Sequence, residues 1–181
     1  MNAPVPLVIT IIGPDRPGIV SAISDQAAAF GANWADSLMA DLAGQFAGIV
    51  YLQAPAANVE ALMGALRKLE SPAMHVAVAR GTAGAAAAPA RHLKLELVGQ
   101  DRPGIIRSIA GQLAQRGVSI ERLQTQIESG AMSGGELFRM SALLRVPASV
   151  EDADLRRALE GLANELMVDI ELDESRAAVR S

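Results

Sequence analysis

The chain has 181 residues, half of them apolar, with a mean hydropathy of +0.24, which excludes a disordered chain and leaves room for one large domain or two of about 90 residues. Sixteen Lys and Arg against 20 Asp and Glu give a net charge of −4, the wrong balance for a surface that grips nucleic-acid phosphates. Without cysteine there are no disulfides, thiolate metal sites or cysteine nucleophile, and two histidines, His75 and His92, are too few for a histidine metal site or a serine triad.

No Lys or Arg precedes Arg16, so the start lacks the basic region of a secretory signal. The apolar run 5–12 is far shorter than the roughly 20 residues of a membrane span. Together these predict a cytoplasmic protein with no membrane attachment.

An apolar run rich in β-branched residues predicts a strand over 7–12. It runs into Gly13, Pro14, Asp15, Arg16, Pro17, Gly18 and Ile19, where a helix begins with Pro17, like Pro103 in the second copy, near its first turn. Ile19, Ile23, Ala27 and Phe30 form the predicted inner stripe of that helix, and Gly31 ends it as a left-handed cap. Strands over 33–42 and 45–53 follow, joined through Ala43 and Gly44. A second helix over 59–69 turns Val59, Leu62, Leu66 and Leu69 inward, and a strand over 74–79 closes the series. Small residues without an apolar face fill 81–90, which predicts a linker at 81–91 between domains at 1–80 and 92–173.

The second domain repeats the first. At an offset of 86 residues, positions 13–31 contain ten identities in nineteen, including Gly99, Asp101, Arg102, Pro103, Gly104, Ile105 and Gly117. A strand over 93–98 is followed by a helix whose stripe is Ile106, Ile109 and Leu113. Strands over 119–128 and 136–146 flank a Gly- and Ser-rich loop. A helix over 151–166, with Ser149 and Asp152 as a capping pair and Leu155, Leu159, Leu162 and Leu166 inward, precedes a strand over 168–172 and a flexible tail at 174–181. The order β-α-β-β-α-β, twice, predicts an α+β fold. Each domain is then a ferredoxin-like four-stranded antiparallel sheet with two helices on one face. The uncovered face and the sheet edges predict association, within the chain or in a homo-oligomer.

The repeated loop between strand and helix has two chemical readings. Free N–H groups at a helix N-terminus favour an anion. Nucleotide phosphate is excluded, because Ile19 and Ile105 stand where a phosphate-binding loop needs Lys, and Asp15 and Asp101 repel phosphate. A carboxylate fits better, with Asp15 or Asp101 meeting an ammonium group. In the alternative reading the two aspartates cap the helices and the Pro and Gly residues shape a tight turn. Arg16 and Arg102 are solvated side chains or carboxylate contacts. His75 and His92 are surface or edge residues, and Trp34 lines either a pocket or the core. The alternating acidic run 169–174 is a strand with a solvated face, not a metal site.

Asp15, Arg16, Pro17, Gly18 and Ile19 after a strand, followed by Gly31, Ala32 and Asn33 opening the next, resemble the ACT domain. Two such units in a short chain, together with Asn33, Trp34, Ala35, Asp36 and Ser37, resemble the glycine cleavage system transcriptional repressor family. The resemblance implies a regulatory module that binds a small amino acid, glycine favoured, where the first loop meets the start of the second strand in a paired domain. The implied ligand-binding positions are Gly13, Pro14, Asp15, Arg16, Pro17, Gly18, Ile19 and Asn33, then Gly99, Gln100, Asp101, Arg102, Pro103, Gly104, Ile105 and Ser119. It further implies a LysR-type transcriptional activator as protein partner, with no direct nucleic-acid contact. Gln100 in place of Pro14 and Ser119 in place of Asn33 predict that the second copy binds differently or serves the partner contact. An enzyme is disfavoured, since no nucleophile–base pairing stands out, and no metal or cofactor is implied. The alternative function is an amino-acid-binding regulatory subunit or adaptor of a metabolic enzyme.

Overall fold

The computed structural model describes residues 3–82, 89–129 and 136–174. It divides into two compact units, Met1–Ala85 and Ala86–Ser181. The first contains β1 (Val5–Pro14), α1 (Ile19–Ala29), β2 (Asn33–Leu42), β3 (Gln45–Ala54), α2 (Val59–Arg67) and β4 (His75–Arg80). The second contains β5 (Ala90–Gln100), α3 (Ile105–Gln115), β6 (Ser119–Ser129), β7 (Glu136–Pro147), α4 (Asp152–Leu166) and β8 (Val168–Glu174). Strand β5 thus starts inside the stretch expected as linker, and Arg91 fixes that start: its guanidinium donates to the Val150 carbonyl at 2.7 Å and to the Asp152 carboxylate. The Gly- and Ser-rich loop and the tail from 175 lie outside the described residues.

Each sheet has four strands, in the orders β2-β3-β1-β4 and β6-β7-β5-β8, with every neighbouring pair antiparallel. This is the ferredoxin-like arrangement anticipated from the element order. Alternation in the central strands places Leu7, Ile9 and Ile11 beside Val50 and Leu52 under α1 and α2, all at most 1 % exposed. Leu93, Leu95 and Leu97 do the same with Met140, Ala142 and Leu144 beneath α3 and α4. Each fully buried Leu or Ile contributes about 1.5–3 kcal/mol relative to exposure, so the two cores rest on aliphatic side chains.

The inner stripes differ from expectation at their ends, where Phe30, Leu69, Ile106 and Leu166 are only partly buried. Ile105, not Ile106, is the buried first residue of α3, matching Ile19 in α1. The helix starts one residue after Gly104, so its first residue already faces the sheet. At α4 the N-cap is Glu151 and no side chain caps it, so the expected Ser149–Asp152 pair does not form; Asp152 is held by Arg91 instead.

The outer faces of the two sheets differ in chemistry. In the first, cross-strand register aligns Leu38, Ile49, Thr10 and Ala77 in one row and Ala40, Ala47, Ile12 and His75 in the next. In the second, the rows carry Lys94 with Glu96, Arg139 with Glu128, and His92 and Arg145 with Glu121. A bulge recurs at equivalent places, at Ala35 in β2 and at Glu121 in β6, so the same irregularity projects a methyl group in one unit and a carboxylate in the other.

Candidate functional site

The loop from Pro14 to Ile19 and its copy from Gln100 to Ile105 have the same backbone. Gly18 and Gly104 are the N-caps of α1 and α3, with φ of 95° and 100°, a region that glycine enters freely and other residues do not. An added Cβ on either would meet nothing within 4 Å, so the conformation, not crowding, selects glycine here. Pro17 and Pro103 immediately precede these caps, near the first helical turn as expected, and stiffen the entry to it.

The carbonyls of Gly18 and Gly104 accept the first helical bonds, from Ala22 N at 2.9 Å and Ser108 N at 3.0 Å. No side chain caps either helix, so the reading in which Asp15 and Asp101 cap them is not realised. The N–H groups of Ile19, Val20 and Ser21, and those of Ile105, Ile106 and Arg107, precede the first intrahelical donors. Each eleven-residue helix adds its dipole to that row.

Asp15 and Asp101 are exposed, and their role in positioning is carried by backbone. Asp15 N donates to the Gly44 carbonyl at 3.0 Å, and Asp101 N to the Glu136 carbonyl at 2.9 Å. Each loop is therefore tied to the hairpin between the second and third strands of its unit. That anchoring residue set, Gly44 and Glu136, escapes motif reading, but it follows from hairpin topology: Pro14 pairs with Gln45 and Gln100 with Leu137. Arg16 is exposed, whereas Arg102 is partly buried and its Nε is buried without a hydrogen-bond partner. The two loops thus share backbone and differ in the seating of their arginine.

The remaining expected site residues separate from this cluster. Gly13 and Gly99 are packing positions: a Cβ on Gly13 would lie 2.6 Å from the Ala73 carbonyl oxygen, and one on Gly99 2.4 Å from Val168 Cγ1. Ile19 and Ile105 are buried in the two cores. Asn33 pairs with Gln53, opposite Pro6, so it lies roughly 25 Å along the sheet from the loop of its own unit at about 3.3 Å per residue. Ser119, paired with Arg145 opposite His92, lies at the same remote end of the second sheet. The single-helix crossover makes β2 start beside the start of β1, which places Asn33 away from the loop. Trp34, beside it, packs on the first core and donates from Nε1 to Ser37 Oγ at 3.3 Å.

Other polar features lie elsewhere. An open groove between α3 and α4 is lined by Gln115, Arg116, Glu151, Asp154 and Arg157, at the end of α3 remote from the loop. Its charges are spent locally: Arg157 donates to Asp154 at 3.0 Å and Arg116 to Gln112 Oε1 at 2.6 Å. No group of three or more metal-ligating side chains gathers among the described residues, and no described helix is long and apolar enough to cross a membrane.

Comparison with known proteins agrees with this architecture. The model of the ACT domain matches residues 5–78 and again 91–173. An unknown protein from Galdieria sulphuraria is 29 % identical, with 94 % of this chain and 98 % of that one covered at a TM-score of 0.83. A protein provisionally assigned as a glycine cleavage system transcriptional repressor shares the fold at 22 % identity and a TM-score of 0.65, covering 93 % of this chain and 96 % of its own. No curated protein matches the sequence. ACT domains are regulatory domains that bind small ligands. With both units matched over most of their length, the chain belongs to the ACT domain family, as a tandem pair.

Proposed function

We propose that this protein is a ligand-responsive regulator in which the Asp15–Gly18 and Asp101–Gly104 loops receive a small amino acid. The observation that carries the reading is the pair of uncapped helix N-termini, each beside an exposed aspartate. The ligand carboxylate accepts from the first N–H groups of α1 or α3, and its ammonium group meets Asp15 or Asp101. Arg102, with an unpartnered buried Nε, supplies an additional cation near the second loop. Asn33 and Ser119 contribute only where the start of a second strand from another ACT unit comes to the loop.

Glycine is the favoured ligand, and control of glycine cleavage genes through a LysR-type activator the favoured output. The support is the shared fold with the provisionally assigned repressor and the matching tandem architecture. The residues disfavour direct DNA binding, since positions 1–80 carry four Lys or Arg against six Asp or Glu and positions 92–181 eleven against fourteen. Nuclear magnetic resonance of the ¹⁵N-labelled chain tests the site. Titration with glycine, then other amino acids, is expected to move the amides of residues 18–21 or 104–107 before any others. Shifts confined to other segments would refute the site. In a gel shift with glycine cleavage promoter DNA, the chain alone is expected to leave the DNA unshifted; a specific shift without partner would refute the adaptor role.

A further inference from the structure

We infer that the outer sheet face of the first unit is a homodimer interface, packed against the same face of a second copy. At the positions of β1–β4 that point away from α1 and α2 there is no Lys, Arg or Glu, and only Asp36, Tyr51 and His75 are ionisable. Ile12, Leu38 and Ile49 stand there 48 %, 44 % and 45 % exposed. Three adjoining large aliphatic side chains left half in water on one face mark an association surface more than ordinary scatter of apolar residues does.

Three observations select a second copy as the occupant. The first is area. Four strands about 4.8 Å apart, with roughly 3.3 Å per residue, give a face on the order of 550 Å². Two such faces bury on the order of 1,100 Å², which clears the roughly 1,000 Å² expected of a specific interface. The second is shape. Leu38 and Ile49 make a ridge in one row beside the trough of Thr10 and Ala77, and in the next row Ala40 and Ala47 make the trough beside Ile12 and His75. Ridge and trough change sides between rows, so a two-fold axis lying in the plane between the two faces sets each ridge into the opposing trough. Sheets stacked in this way lie about 10 Å apart. The third is charge. A face such as the outer one of the second unit, with Lys94–Glu96, Arg139–Glu128 and Glu121 between His92 and Arg145, would surrender hydration of its ions against this apolar surface without new partners. A copy of the apolar face exacts no such penalty.

Sedimentation equilibrium of the full chain tests the inference. The wild type is expected at twice the 18.8 kDa chain mass at micromolar concentration. Ile49→Lys and Leu38→Lys are expected to raise the dimer dissociation constant more than tenfold with the circular dichroism spectrum unchanged, while Lys94→Glu leaves it in place. A second measurement removes dependence on folding of the lysine variants. The chain lacks cysteine, so Ala47→Cys and Lys94→Cys each carry a single thiol for a short bis-maleimide. Covalent dimers are expected from Ala47→Cys and not from Lys94→Cys. A monomeric wild type, a dimer that survives Ile49→Lys, or equal cross-linking of the two thiols would overturn the proposal.

Discussion

At the scale of single residues, the repeated glycines divide into two physical roles. Gly13 and Gly99 lack room for a side chain, because the backbone of Ala73 and Met74 or the side chain of Val168 occupies the place of a Cβ. Gly18 and Gly104 have room but need a positive φ. We expect Gly99→Ala to cost about 1–3 kcal/mol through overpacking, and Gly18→Ala about 1–2 kcal/mol through left-handed backbone strain, both measured by urea denaturation. Asp15→Asn and Asp101→Asn, exposed and capping nothing, should change stability by less than about 0.5 kcal/mol. If these aspartates were structural caps, each would instead cost roughly 1 kcal/mol.

At the scale of elements, helix ends contrast within the fold. Gly31 and Gly117 follow α1 and α3 at φ of 68° and 70°, whereas α4 ends on Met167, an exposed non-glycine residue at φ 52°. Met167→Gly should therefore stabilise the second unit by about 1 kcal/mol, read as a higher denaturation midpoint; an unchanged or lower midpoint would contradict the strain assigned there. The clamp at the start of β5 gives the opposite sign: Arg91→Ala removes the bonds to Val150 and Asp152 and should cost about 1–2 kcal/mol. Element type and order were legible because the β-branched apolar run of β1, the apolar alternation of β5 and the 3.6-residue stripes of the helices report directly on burial. What misled was local chemistry that several residues satisfy equally well. Ser149 and Asp152 have capping side chains, but Arg91, 61 residues from Asp152 in sequence, takes that carboxylate first. The site was legible as a loop and not as a set of neighbours. The motif names Asp15 through Gly18, but only the crossover shows that Asn33 starts at the remote end of the sheet, and only the hairpin pairing shows that Gly44 holds the loop.

At the scale of the whole molecule, duplication has kept the backbone and changed the surfaces. The two cores are separate clusters, one around Leu7, Ile9 and Leu52, the other around Leu95, Leu97 and Leu144. Leu95→Ala, at a fully buried position, should cost about 2–5 kcal/mol and speed hydrogen exchange first in β5, β7 and β8. The loops retain one design, while the outer faces diverge from apolar rows to ion pairs. A ligand at one loop can bias what either face offers a partner only by the difference between its affinities for the free and assembled states.

Isothermal titration of the full chain with glycine and then the other amino acids tests directly whether the two loops receive a small amino acid. Saturable binding by one of them is expected, lost in Asp15→Asn or Asp101→Asn while the melting temperature stays put. No binding heat and no competition across the panel by a chain of verified fold, or binding untouched in the double variant, would contradict it.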